Sequence, residues 1–272
     1  MALRLAIAGA GGRMGQAVIE AALGSSDMEI ASALDVPGSA FVGHDAGERF
    51  GRTTGARVQA DVDAAVRVAD VLIDFTRPAG SIAHVAACAR HRVGAVIGTT
   101  GLDAAQQREL AENARTIPIV YAPNMSVGVN VLLELVENAA RALGSAYDIE
   151  IVEIHHKHKV DAPSGTAIQL GKAASSGRAL DFASSALYSR EGDVGPRKPD
   201  VIGFATLRGG DVVGEHTVMF VGPGERIEIT HRATSRQNFA AGALRAARFV
   251  ASKRSAGIEG VFDMRAVLGL NQ

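Results

Sequence analysis

The chain has 272 residues, enough for one large domain or two ordinary ones, and its 47% hydrophobic and 21% charged residues are the composition of a soluble globular protein, not of a disordered or fibrous one. Lys plus Arg (28) nearly balances Asp plus Glu (29), leaving a net charge of -1, so no global field favours nucleic acid or an anionic membrane. One cysteine, Cys88, excludes an intramolecular disulfide and any multi-cysteine zinc site, which fits the cytoplasm, and no run approaches the roughly 18 unbroken apolar residues of a membrane span.

The opening MALRLAIAGAGG is too short for a signal peptide, reaches glycines at once and has no convincing cleavage site, so it reads as a buried first strand. From there β-branched or apolar runs alternate with Ala-rich amphipathic stretches, the rhythm of βαβ units and a parallel sheet. Strands are expected at Leu3–Ala8, Glu29–Leu34, Val71–Phe75, Ala95–Ile97 and Ile119–Tyr121, and helices at Met14–Leu23, Ser81–His91, Asp103–Arg115 and Val127–Leu143. The strands end in GAGGRMG, DVPGS, DFTRP, GTTG and APNMS, turns that in an open parallel sheet line the ligand crevice. Cys88, in HVAACARH, sits on a small-residue helix face and reads as a buried core thiol, not a nucleophile.

After about Leu143 the rhythm changes to strands at 148–155, 201–208, 212–221 and 225–231, joined by RGGD and GPGE turns, with one helix following Ser164. Ser175 to Pro199 has little periodicity and reads as a mobile loop. An Ala-rich helix from Gln237 to Ser252 is expected to return to the first sheet, which needs cover on both faces. The fold is therefore α/β, a parallel-sheet domain of residues 1–126 plus 236–272, with an inserted α+β domain of residues 127–235. Hinges are expected near Ser126–Val127 and Ser235–Gln237, polar breaks between patterned segments.

Gly9, Gly11, Gly12 and Gly15 lie between the first strand and helix, where glycines allow a tight turn and let backbone N–H groups approach a pyrophosphate. The spacing is Gly9-x-x-Gly12-x-x-Gly15 and not a strict GxGxxG; strand–turn–helix context and Asp35 at the end of the second strand strengthen it as a dinucleotide site. Asp35 suits the two adenosine ribose hydroxyls and repels a 2′-phosphate, and Val36 offers no cation, so NADH is preferred; Arg13 is the nearby cation that allows partial use of NADPH.

In EIHHKHKVDAPSGTA, His155, His156 and His158 fall within four positions, interleaved with Lys157 and Lys159. A metal site is disfavoured, because the lysines repel a divalent cation and no HExxH is present. A solvated basic turn is the ordinary alternative. It leaves unexplained Ser164-Gly165-Thr166 ahead of an apolar helical pattern beginning at Ala167: Ser164 is a capping signal, and the first-turn N–H groups bind carboxylate or phosphate. Cations upstream of an open helix N-terminus form a two-sided anion receptor that, near a strand end, can face the crevice where a nicotinamide would lie. Isolated His84, His91, His216 and His231 read as structural. Arg208 and Arg236 are held as candidate cations for a second carboxylate.

EIVEIHHKHKVDAPSGTA, with AGAGGRMG, VIGTTG, YAPNMSVGVN and GFATLRGGDVVGEHTVMF, resembles the bacterial 4-hydroxy-tetrahydrodipicolinate reductase (dihydrodipicolinate reductase) family of the diaminopimelate and lysine pathway, over essentially the whole chain. The resemblance implies a Rossmann-like domain, a smaller substrate-binding domain that also builds a homotetramer, and NADH- or NADPH-dependent reduction of a cyclic dicarboxylate. It makes His155 the general acid and Lys159 the second proton donor or charge stabiliser. It gives substrate contacts to His156 and, at the helix N-terminus capped by Ser164, to Gly165 and Thr166. It gives cofactor contacts to Gly9, Ala10, Gly11, Gly12, Arg13, Met14, Asp35, Gly98, Thr99, Thr100, Ala122, Pro123, Asn124 and Met125. Family members that use NADPH well often carry Arg after the acid, where this chain has Val36. Rival readings are another NAD-linked reductase, although a phosphorylating semialdehyde dehydrogenase needs a nucleophilic cysteine that Cys88 does not suit, and a dinucleotide sensor without turnover.

Overall fold

A computed structural model of the chain describes residues 2–270. The first run of elements is β1 (Leu3–Ala8), α1 (Arg13–Leu23), β2 (Met28–Leu34), β3 (Val58–Gln59), α2 (Val62–Val66), β4 (Val71–Asp74), α3 (Pro78–His91), β5 (Gly94–Ile97), α4 (Ala104–Asn113) and β6 (Pro118–Tyr121). Then follow α5 (Val127–Leu143), β7 (Asp148–His155), α6 (Gly165–Gly177), α7 (Phe182–Ser185), β8 (Ala186–Leu187), β9 (Ile202–Arg208), β10 (Gly214–Gly222) and β11 (Glu225–Ala233). The chain closes with α8 (Gln237–Ser255), β12 (Gly260–Phe262) and α9 (Met264–Leu268). Backbone contacts divide it into two compact units, Met1–Val127 with Arg236–Gln272, and Gly128–Ser235.

The first unit is a parallel sheet in the order β12-β6-β5-β4-β1-β2-β3. The strand order reverses between β1 and β4, so the carboxyl ends of β1, β2 and β4 open at a topological switch point, the Rossmann-like arrangement. Alternate side chains feed two cores, as period-2 geometry requires. Leu5, Ile7, Val71, Ile73, Val96 and Val120 pack with α1 and α8, while Ala6, Ala8, Leu72, Ala95, Ile97 and Ile119 pack with α2, α3 and α4. The Ala-rich helix expected to return to this sheet is α8, buried through Ala240, Ala243, Leu244, Ala246, Ala247 and Val250. Cys88 is fully buried on α3, and burial pushes its thiol far above the ordinary range, so it is inert as a nucleophile.

The second unit has a mixed sheet in the order β11-β10-β7-β9-β8, antiparallel at β11-β10-β7 and parallel at β7-β9-β8. Its core joins Ile149 and Ile151 of β7, Ile202 and Phe204 of β9, and Val218 and Phe220 of β10 to α5 and α6. The opposite sheet face carries Val152, Ile154, Met219 and Leu207, partly or largely exposed. The mobile loop expected over Ser175–Pro199 is corrected in its first part: α6 runs on to Gly177, and α7 and β8 follow, while residues 188–199 lie in neither helix nor strand. Its aperiodic sequence concealed a helix cap, in which the Asp181 carboxylate accepts from Ser184 N–H at 2.9 Å.

Candidate active site

In the first unit the loop after β1 turns at Gly9, whose φ of +71° favours glycine, and Gly12 caps α1 without a side-chain bond. A Cβ on Gly15 would lie 2.0 Å from the Gly9 carbonyl oxygen, so only glycine lets α1 start this close to the strand. A Cβ on Gly11 would lie 2.6 Å from the Asp35 carboxylate and 2.4 Å from Phe41, so only glycine lets the loop run this close to both. The first turn of α1 carries no acidic side chain. Such a cradle fits a pyrophosphate at the positive end of the helix. Asp35 follows β2, and its carboxylate accepts from the N–H of Gly11 and of Val36, each at 2.8 Å. These bonds fix it at the loop, with Arg13 exposed as the first residue of α1.

The Gly98–Thr100 turn after β5 lies beside the end of β4. The Thr99 hydroxyl points inward to Ser81 Oγ at 2.6 Å and to Asp74 at 3.4 Å, so that side chain is spent on structure, while Thr100 is exposed. In the Ala122–Met125 turn after β6, Ala122 and Met125 are buried core residues, Pro123 is exposed, and the Asn124 side chain accepts from the Ser126 N–H at 2.9 Å.

In the second unit the alternation of β7 turns Ile149, Ile151, Glu153 and His155 to the buried face. Glu153 is the hub there. Its Oε2 accepts from His155 Nδ1 at 2.6 Å and Arg208 Nη1 at 2.8 Å, and its Oε1 accepts from Arg208 Nη2 at 3.0 Å and the Ser164 N–H at 2.9 Å. Sheet register explains the meeting, because Arg208 on β9 lies beside His155 and His216 on β10 lies opposite Glu153. The His216 ring stands edge-on to that of His155 with centroids 5.1 Å apart, and its Nε2 meets Ser164 Oγ at 2.9 Å. Ser164 caps α6, its Oγ accepting from Ala167 N–H at 3.2 Å, and Gly165 is exposed with open space where a Cβ would stand.

Burial resists ionisation of Glu153, but the bonds from Arg208, His155 and Ser164 outweigh it and hold the carboxyl below its usual range. Burial pushes the His155 pKa below that of a free histidine, and the Glu153 carboxylate opposes this. Burial, with the neighbouring His155 charge, takes His216 down to about 4, so its ring is neutral at pH 7. The Lys159 ammonium is held by both Asp161 oxygens at 2.8 Å. His156 Nδ1 is buried without a hydrogen-bond partner among the described residues.

The second unit thus brings together His155, Ser164 and the start of α6 around Glu153, with Lys159 linked to them by its field on His155 and by Asp161, whose carbonyl accepts from Arg208 at 2.6 Å. The first unit gathers the glycine loop and Asp35. Glu153 is absent from the sequence-derived candidates, although its place two residues before His155 on one strand face is a signal. His216, expected to be structural, stands beside His155 and joins the site as a neutral neighbour. His84 is structural in fact, paired to Asp74 at 2.7 Å, and His91 is paired to Asp63 at 2.8 Å. Arg208, held as a substrate cation, has its guanidinium engaged by Glu153 and by the carbonyls of Leu207 and Asp161. Arg236 lies at the start of α8.

The models of dihydrodipicolinate reductase, N-terminus and C-terminus, match residues 3–125 and 128–268. The chain belongs to the dihydrodipicolinate reductase family. It is 54% identical over 268 residues to 4-hydroxy-tetrahydrodipicolinate reductase of Cupriavidus metallidurans and 55% identical to that of Cupriavidus necator, each comparison covering 98% of this chain and all of the relative. Its fold matches dipicolinate-bound dihydrodipicolinate reductase from Paenisporosarcina sp. TG-14 with a TM-score of 0.75, at 24% identity, over 97% of this chain and 98% of that one.

In this member of the dihydrodipicolinate reductase family, the Nε2 side of the His155 ring packs against Gly214. A Cβ there would lie 2.8 Å from Nε2, closer than real contacts allow. Gly214→Ala is therefore expected to displace the imidazole, destabilise the protein by about 1–3 kcal/mol and lower turnover. A denaturant midpoint measured beside a steady-state rate checks both; a variant with both unchanged would place the ring elsewhere.

Proposed function

We propose that the chain reduces 4-hydroxy-2,3,4,5-tetrahydrodipicolinate to 2,3,4,5-tetrahydrodipicolinate with NADH or NADPH, releasing water, as a cytoplasmic homotetramer in diaminopimelate and lysine biosynthesis. Within the family so established, the observation that carries this reading is the buried His155–Glu153 pair beside the exposed Gly165 at the start of α6, a proton donor next to a carboxylate receptor. The first unit is the dinucleotide-binding domain. The second binds substrate, and its exposed Leu207 and partly exposed Val152 and Ile154 support a role in assembly.

When bound, the nicotinamide supplies a hydride to the electron-poor ring left after the 4-hydroxyl departs as water. His155 gives a proton from Nε2 to the electron density that builds on the ring. Lys159, released from Asp161, is the second group able to donate that proton, or holds a carboxylate or the charge near the ring nitrogen. Gly165 and Thr166 bind one carboxylate at the helix N-terminus, with Ser164 as the cap and His156 as a further contact. Two substrate carboxylates add negative charge near His155, which raises its depressed pKa toward neutrality. Dipicolinate, bound in the Paenisporosarcina reductase, is a dicarboxylate of this kind.

On the cofactor side, Gly9–Met14, Gly98–Thr100 and Ala122–Met125 line the dinucleotide, and Asp35 selects NADH. Val36 is 68% exposed and leaves room for a cation. Val36→Arg is expected to raise kcat/KM for NADPH relative to NADH by about tenfold, through pairing with a 2′-phosphate. An unchanged ratio would separate Asp35 from the ribose.

The decisive experiment follows NADH absorbance after adding freshly made condensation product of pyruvate and aspartate semialdehyde, then repeats it with NADPH. Oxidation of both, faster with NADH, is expected. No oxidation by folded, cofactor-bound protein would overturn the reductase reading and favour a sensor.

A further inference from the structure

Glu153 touches the His155 imidazole, the Arg208 guanidinium and the backbone that opens α6, all through one carboxylate inaccessible to solvent. We infer that Glu153 is a positioning residue that fixes His155 with Nδ1 inward and Nε2 as the proton-delivering atom, and that its division between His155 and Arg208 sets how readily that proton is held. The inference rests on the proposed role of His155 as the acid.

An ionised carboxylate only accepts hydrogen bonds, so Nδ1 facing Glu153 carries its hydrogen whether the ring is neutral or charged. The proton gained and lost is then the one on Nε2, which faces Gly214. The 2.6 Å contact is of charge-assisted length. Arg208 draws on both oxygens of the same carboxylate, so it competes for the charge that stabilises the imidazolium and adds its own positive field. The other groups acting on His155 are His216 from β10, with His231 of β11 behind it, and Lys159 with its partner Asp161 in the segment after β7. Next to it in sequence stand His156, Lys157 and His158. From α6 it is the Ser164 N–H that reaches Glu153, tying the acid to the segment proposed for a substrate carboxylate.

The sign of each partner's effect on His155 is the test. In the substrate-free full-length protein, the His155 imidazole C–H resonance is titrated by NMR for wild type, Glu153→Gln and Arg208→Met. Glu153→Gln removes the negative charge and leaves Arg208 facing the ring, so the midpoint is expected to fall by about 1 unit or more. Arg208→Met leaves Glu153 undivided, so the midpoint is expected to rise by roughly 0.5–1 unit. The high-pH limb of kcat with NADH, where the acid is lost, should move in the same two directions. Opposite shifts support the inference; shifts of one sign, or none, overturn it. If Glu153→Gln does not fold, Arg208→Met decides alone, an upward shift supporting and its absence overturning. Should His155→Gln retain turnover while the two midpoints still move apart, the acid assignment fails and the Glu153 control of His155 stands.

Discussion

Replacing His155 by Gln is expected to lower kcat for substrate reduction ~10²–10⁴-fold, the usual contribution of a positioned general acid. KM should change by no more than about threefold, because the loss falls on the transition state and not on binding. Gln keeps the size and can still donate to the Glu153 carboxylate, so the fold should survive. The sign of the pH dependence follows from the proposed role of His155 as the acid, in which the protonated ring is the active form; burial holds its pKa below the free value. Activity in wild type is therefore full at low pH and lost as pH rises through the His155 pKa of the substrate complex, whereas in His155→Gln this limb should disappear. Steady-state kinetics from pH 5 to 9 with saturating NADH would show it. Turnover within about twofold of wild type would move the acid elsewhere.

The second large effect is expected at Asp74. This carboxylate at the end of β4 is fully buried and accepts from His84 Nδ1 at 2.7 Å, from Thr76 N–H at 2.6 Å and from the Thr99 hydroxyl at 3.4 Å. Burial resists its ionisation, yet the bonds from His84 and Thr76 prevail and hold its pKa below the usual range. Asp74→Ala leaves these donors without their acceptor and is expected to cost about 3–5 kcal/mol. Asp74→Asn, similar in shape, separates charge from packing. A carboxyl with a depressed folded pKa contributes stability that is present above its unfolded value of about 4 and is lost as pH falls through the folded value. Wild type should therefore lose its advantage over Asp74→Asn below about pH 4, as denaturation midpoints over a pH series would show. Equal midpoints at pH 7 would deny the pair any net stabilising role. Since Thr99 is tied into the same network, both variants should also weaken NADH binding.

Most of the parallel sheet was legible because each long strand is a buried apolar run bounded by a turn, and because α8 carries an unmistakable small-residue face. The pieces that escaped are short: β3 has two residues, α2 five and β12 three, too few for any period to show. The basic stretch was legible as chemistry, because clustered cations before a Ser-capped helix demand an anion. Its organising residue was not. Glu153 reads locally as one more polar strand position, and only strict alternation with Ile149, Ile151 and His155 places it on the buried face. His216 and Arg208 lie 61 and 53 residues beyond His155, and sheet register alone brings them to it. Sequence spacing shows neither meeting: His216 is buried and bonded to Ser164 Oγ at 2.9 Å, and the Arg208 guanidinium is engaged by the internal Glu153 carboxylate.

The return of the chain to its first sheet has a consequence for biosynthesis. The face of that sheet covered by α8 stays bare on a growing polypeptide until the ribosome has completed residues 128–235, since Ala240, Ala243, Leu244 and Val250 are made only afterwards. The interrupting unit is continuous in sequence and can close its own core first. Order of completion is thus the reverse of order of synthesis, and during that interval the nascent sheet exposes Ile73, Val96 and Val120 on the side α8 will occupy, an apolar surface for a chaperone to shield.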